Sequence, residues 1–201
     1  MSAPQAGRQQ VTGFASGAPC RRRAHGLLAA ALCAALLAGS LAAAAAAAGS
    51  ASVAVAQLLA AGTASVKRRD GGVAVLLPTT MALPRPDYTA SGASPGRYRL
   101  EIDGTEPCDG ANVCLFALFT GVRGGHRYGS AIALSHGIQG GYADIECGAA
   151  CSPASLDWIE NGVLYTIEAN PSVELHPNTP ARSVRAAFVA AADQSIGAGP
   201  R

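Results

Sequence analysis

The chain has 201 residues, 49% of them apolar, 14% charged and only 5% aromatic, with a formal net charge of +2. Four of its 15 basic residues, Arg8 and Arg21 to Arg23, stand in an N-terminal region without a carboxylate, whereas all 13 acidic residues follow Val66 and face 11 basic ones there. A balance near −2 leaves the later part no electrostatic footprint for nucleic acid, and the length suits one domain.

From Ala24 to Val66 there is no Asp, Glu, Lys or Arg. This stretch contains "LLAAALCAALLAGSLAAAAAAA", Leu27 to Ala48, an apolar run long enough to cross a bilayer as a helix. A triple arginine stands just before it. Basic flank, apolar run and small residues together form the pattern of a signal peptide, and "AVA", Ala54 to Ala56, offers a cleavage site before Gln57. Further small-residue sites lie among Ala42 to Ala48. The run is longer than cleaved leaders usually carry, so a retained membrane anchor is the competing reading. Both readings put the C-terminal part outside the cytoplasm, in the periplasm, secreted, or anchored to the inner membrane, with membrane contact only through the N-terminal segment. Lipid attachment at Cys33 is disfavoured by the preceding Leu32, and "RRRAHGLL" supplies only the arginine pair of a twin-arginine signal. The expected organisation is a leader or anchor over 1–56, a linker over 57–72 that includes the basic Lys67 to Arg69, an exported domain over 73–196 and a tail over 197–201.

In that domain Val73 to Leu77 predicts an edge strand, followed by a Pro/Gly/Ser-rich extended loop to Gly96. "RYRLEID", "CLFALFTGV", "SAIALSHG", "GGYADIEC", "SLDWI" and "VLYTIEA" then alternate β-prone runs with turn chemistry. They predict a mainly β fold, a single antiparallel sheet that is curved or closes towards a small barrel or sandwich. In "SLDWIENGVLYTIE" the Asn161-Gly162 pair suits a type I′ turn, which sets Glu160 opposite Val163, Ile159 opposite Leu164, Trp158 opposite Tyr165 and Leu156 opposite Ile167. Leu156, Trp158, Tyr165 and Ile167 then share a core face. "TPARSVRAAFVAAADQSIG" predicts a helix packed on the sheet, with Thr179 as N-cap, Pro180 in the first turn, Gly197 at the C-terminal cap, and Val184, Ala187, Phe188, Ala191 and Ala192 as its apolar stripe.

The domain holds four cysteines, which in an oxidising compartment read first as disulfides with three pairings open. Loop entropy favours a long cross-link, about 4 kcal/mol against about 2 kcal/mol for a short ring. Proximity and small intervening residues favour Cys108–Cys114 in "CDGANVC" and Cys147–Cys151 in "CGAAC". A zinc site would need C-x₂₋₄-C pairs, and the gap in the first pair is too wide for one. There is no C-x-x-C, and no basic residue close enough to activate either pair. Cys20 and Cys33 fall in the leader.

Other chemistry is thinly represented. "GASPG" matches G-x-S-x-G around Ser94, but the residue that must give its N–H to an oxyanion is Pro95, so the match fails. His126, His136 and His176 have no ligand spacing. Arg123, His126 and Arg127 in "TGVRGGHRYGS" can present cations and backbone N–H groups to an anion, with a solvated hairpin loop as the plainer alternative. Trp158 and Tyr165 can form a ligand platform for a sugar ring, although a small domain needs such residues inside. Asp144, Glu146, Asp157 and Glu160 can converge as an acid–base pair or cation site, or form an ordinary polar face. No P-loop, dinucleotide fingerprint or EF-hand series occurs, so no cofactor, metal or catalytic residue is assigned.

"CDGANVC", "GIQGGY" and "CGAACSPASLDWIENGVLYTI" in succession resemble a group of small exported bacterial proteins of uncharacterised function, marked by C-[DN]-G-A-x-x-C, C-G-A-x-C and a W-x-x-x-G-x-x-Y hairpin. The likeness runs from about Leu77 to Ile167, weakly through the final helix, and the long Ala-rich leader departs from it. It implies export and a compact β-rich domain, and brings no catalytic residues. The sequence thus predicts an extracytoplasmic binding or interaction module with an unnamed ligand or envelope partner. A hydrolase using strand carboxylates and a structural envelope protein are the alternatives.

Overall fold

The computed structural model describes residues 51–69, 72–84, 86–106, 114–148, 151–170 and 180–201, all within one unit, Ala45–Arg201. Strand β1 (Ala51–Val53) leads into helices α1 (Val55–Leu58) and α2 (Ala60–Lys67), and it pairs with β2 (Met81–Leu83). Then come β3 (Tyr88–Ser94), β4 (Arg97–Asp103), β5 (Leu115–Arg123), β6 (Ser130–Ala133) and β7 (Gln139–Ala143). The short β8 (Glu146–Cys147) and β9 (Cys151–Ser152) precede β10 (Ala154–Glu160), β11 (Val163–Ala169) and helix α3 (Ala181–Ala198). Seven strands make one antiparallel sheet in the order β3-β4-β5-β11-β10-β7-β6. The fold is mainly β with a C-terminal helix, and the sheet is open: among the described residues β3 and β6 end the ladder.

Alternation gives the sheet two unlike faces. The inner one carries Tyr98, Leu100, Ile102, Phe119, Leu156, Trp158, Tyr165 and Ile167, each no more than 3% exposed. Helices cover it, making a two-layer packing. Gly62 of α2 lies against Leu100 and Ser91. From α3, Val184, Phe188, Ala191 and Ala192 are buried, and the Phe188 ring meets Tyr142 edge to face at 5.9 Å. The Tyr98 ring lies over Gly121, where a Cβ would collide with it, and its hydroxyl reaches the backbone of Leu76, accepting from N–H at 3.3 Å and donating to the carbonyl at 3.4 Å. The β10–β11 hairpin has the expected register throughout, with Asn161 and Gly162 at φ 51° and 74°, the left-handed pair that a type I′ turn requires.

Several expectations need correction. The segment 57–72, taken as a linker, holds the end of α1 and all of α2, with Leu59 and Val66 as core residues at 1% exposure, and Val55, at the end of the segment taken as leader or anchor, is fully buried. The basic Lys67 to Arg69 at its end is exposed. Val73 to Leu77 is not a strand: it runs extended without ladder partners, buried beneath the sheet, with Leu77 fully enclosed. The supposed loop to Gly96 contains β2 and β3 instead. "GGYADIEC" breaks after β7, where Asp144 turns its carboxylate to accept the Ile145 N–H at 2.9 Å. Helix α3 passes through Gly197 and is closed by Gly199 at φ 67°, and the following Arg201 donates its N–H to Val75 at 3.0 Å. The expected N-cap, Thr179, lies outside the described residues, as does the Leu27 to Ala48 apolar run. Among the described residues no helix is long and apolar enough to cross a membrane.

Candidate functional site

Helices cover the inner face alone, so chemistry has to be sought on the outer one. Along β4 that face reads Arg97, Arg99, Glu101 and Asp103, alternate residues of "RYRLEID" that share one side of the pleat. Register places Thr120 beside Arg99, Val122 beside Arg97 and Leu118 beside Glu101, with Glu168 one strand further. The outer face therefore carries a charge gradient, cationic near the β3–β4 turn and acidic near Asp103. Arg99 forms an ion pair with Glu101. That hydrogen bond raises the affinity of Arg99 for its proton, burial opposes it, and Glu168 and Asp103 add to it. Asp103 is 1% exposed and one of its carboxylate oxygens has no hydrogen-bond partner. Burial, then Glu101, pushes its pKa up to about 6. Glu168 is shifted upward as well, by burial against the pull of Arg99.

The other half of the outer face is closed by the chain itself. After β5 the backbone crosses over β11, β10 and β7 to reach β6 at the far edge. Gly125 settles on Leu164, and the Tyr128 carbonyl sits so close over Gly141 that no side chain fits there. Asp157, 5% exposed, clamps this crossover by accepting the Tyr128 N–H at 2.7 Å. Burial raises its pKa, while the Tyr128 and Gly141 N–H groups and Arg127 act against the rise.

The residues singled out from sequence separate into distinct places. Arg123, His126 and Arg127 are exposed, on and after the end of β5. They lie on this crossover, not on a hairpin loop. The Arg127 guanidinium donates to the Gln139 and Gly140 carbonyls at 2.9 and 3.3 Å, Arg123 donates to Gly72 at 3.4 Å, and the Tyr128 N–H is taken by Asp157. Arg123 and Arg127 thus each bond the protein's own backbone. Trp158 and Tyr165 stack with centroids 5.5 Å apart inside the core, 1% and 3% exposed, so they present no platform to a ligand. Burial carries the Tyr165 hydroxyl up to about 12.

The four carboxylates do not meet: Asp157 and Glu160 are three residues apart on β10 and so lie on opposite faces, Asp144 caps a turn, and Glu146 belongs to the separate β8–β9 ribbon. Among the described residues no group of three or more His, Cys, Asp or Glu side chains is arranged to hold a metal ion. Cys147 and Cys151 are joined in a disulfide that links β8 to β9. Cys114 is also disulfide-bonded, and Cys108, its expected partner, lies outside the described residues, as does His176.

One cleft lies on the outer face near the β3–β4 turn. It has a volume of about 390 Å³ and is lined by β3 (Gly92, Ala93, Ser94), β4 (Arg97, Tyr98, Arg99) and β5 (Thr120, Val122). Two guanidinium groups and two hydroxyls converge there on a mildly apolar floor. The cleft suits an anionic or hydrogen-bonding ligand in size and lining. Among the described residues its lining includes no carboxylate, histidine or cysteine, so Ser94 has no base beside it there. A smaller cleft, about 210 Å³ between β1, β2 and α3, is lined mainly by alanines. The Arg/Arg/Glu/Asp alternation was readable in "RYRLEID". What hid the cleft is β3, whose small polar residues read as loop. No protein-family model, curated protein or solved structure matches the chain.

Proposed function

We propose that this chain is an exported protein of the bacterial envelope whose folded unit is a non-catalytic binding module. The observation that carries this reading is the outer-face cleft, which gathers Arg97, Arg99, Ser94 and Thr120 without any nucleophile–base or acid–base pair among the described residues. Export is supported by the leader pattern and by the bonded cysteines, since such bonds persist in oxidising compartments. The likeness to small exported bacterial proteins agrees with it. A hydrolase built on Asp144, Glu146, Asp157 and Glu160 has lost its support, because those groups lie apart.

The test is direct. The exported protein, purified from culture, is titrated against fractionated envelope components, and each component is analysed afterwards for chemical change. Saturable binding that leaves the component intact and is weakened by Thr120→Lys, which fills the cleft, is the expected result. Turnover of a component establishes the enzyme instead, and absence of any saturable binding establishes the structural protein.

A further inference from the structure

We infer that β3 is a docking edge for an extended polypeptide segment, which adds to the sheet as an eighth strand and sends a carboxylate side chain across Gly92 to Arg97. This rests on the binding-module reading and specifies its partner.

A sheet edge exposes a row of unsatisfied backbone N–H and C=O groups, and proteins that do not use such an edge shorten it, charge it, bulge it or place proline in it. At the far side of the sheet β6 follows that rule, with four residues that end in a tight 3₁₀ turn, Ser135–Gly137. β3 does not. It is seven residues long, "YTASGAS", with neither charge nor proline, and no residue of it is buried. Its ladder to β4 is regular over its whole length, without a bulge, so its outer backbone groups stand in register for another strand. Helix α2 packs on the inner face at Ser91, and among the described residues no strand pairs with the outer edge.

The side chains beside the edge select the occupant. In strand addition, main-chain bonds supply affinity and alternate side chains read pockets. A strand added to β3 lies two inter-strand steps from β4, about 10 Å. A side chain leaving it on the outer face must therefore pass over β3 to reach the cleft. Gly92 opens that passage: it sits opposite Arg99, and no atom of the described residues lies within 4 Å of where a Cβ would stand. Of the two guanidinium groups in the cleft, Arg99 is already paired with Glu101, whereas Arg97 is exposed and forms no ion pair among the described residues. A carboxylate arriving over Gly92 thus finds one unneutralised cation, with the Ser94 and Thr120 hydroxyls beside it. A second copy of the chain pairing through its own β3 does not fit as well, because that strand brings no carboxylate to Arg97.

The test uses the secreted full-length protein and two fluorescent capped heptapeptides of alternating threonine and valine, one with a central glutamate and one with lysine in its place. The expected result is at least tenfold tighter binding of the glutamate peptide. Arg97→Glu reverses that preference, and Gly92→Leu, which blocks the passage on an open strand position, weakens both peptides while the thermal midpoint stays unchanged. Equal binding of the two peptides overturns the inference, as does full binding by Gly92→Leu. If neither peptide binds while an envelope component still binds and is weakened by Thr120→Lys, the docking edge is wrong and the module stands. If nothing binds saturably, both fall. Dimerisation through β3, seen as a concentration-dependent change in mass that Gly92→Leu leaves intact, also overturns it.

Discussion

Asp103 and Asp157 are both buried carboxylates of the outer face, yet their surroundings differ. Asp157 has the Tyr128 N–H on one oxygen, a hydrogen bond that repays part of the cost of burial, while its other oxygen, like one of Asp103, has no hydrogen-bond partner among the described residues. Asp103 has an unpartnered oxygen and Glu101 nearby, and its pKa stands at about 6 against 3.8 for a free aspartate. Between those two values the folded chain holds a proton that the unfolded chain has released. Stability is therefore gained as the pH falls through 6 and lost as it rises through the same window. Urea unfolding followed from pH 7.5 to pH 5 should show the wild-type midpoint climbing towards that of Asp103→Asn, whose amide cannot ionise. Parallel pH profiles for the two proteins would show that Asp103 titrates alike in both states. Asp157 and Glu168 are shifted in the same direction, so part of the acid gain survives in the variant.

Under the proposed export, the N-terminal elements constrain where a cleaved chain can begin. β1 pairs with β2 through Ala51, Ser52 and Val53, and Val55 is fully enclosed. Cleavage after Ala56 would remove both, and burial of the Val55 side chain alone is worth about 1.5–3 kcal/mol. Mass spectrometry should accordingly find the mature N-terminus among Ala42 to Ala48. A chain beginning at Gly49 should keep the wild-type urea midpoint, and one beginning at Gln57 should lose about 2 kcal/mol or more. A stable mature protein starting at Gln57 contradicts this. Legibility in the sequence followed how much of an element's outcome is local. The β10–β11 hairpin was readable to the residue because Asn161-Gly162 fixes its register without outside help. The stripe of α3 was readable because it repeats at helical spacing. By contrast β3 carries no apolar alternation, since only its pairing with β4 makes it a strand, and Val73 to Leu77 is apolar because it is buried, not because it is paired. Helix α2 hid in a charge-free run continuous with the leader, and its Gly62 and Thr63 lower its own propensity. For the cleft, the β4 half was visible as alternating charge, whereas the β3 half required the tertiary fold.

Stability of the molecule rests on the sheet and its helices more than on its bridges. The Cys147–Cys151 bond spans a sequence separation of 4 and closes a ribbon outside the main sheet, all of whose paired residues are exposed. A ring so small restrains few unfolded conformations and is worth about 2 kcal/mol. Replacing Cys147 and Cys151 by alanine should therefore lower the melting temperature by roughly 4–8 °C, and thiol reduction, which also opens the Cys114 bridge, should still leave a cooperative transition. Loss of that transition on reduction would mean that the bridges hold the sheet itself. The crossover clamped by Asp157 has a further consequence, one of timing. Because the chain leaves β5 for the far edge, the central seam of the sheet joins Leu115–Arg123 to Val163–Ala169, and β5 waits beside β4 with one side unpaired until the last strand arrives. The β3–β4–β5 meander and the β6–β7 hairpin can form as the polypeptide emerges, but the middle of the sheet is the last part to exist, and every helix contact that depends on it comes later still.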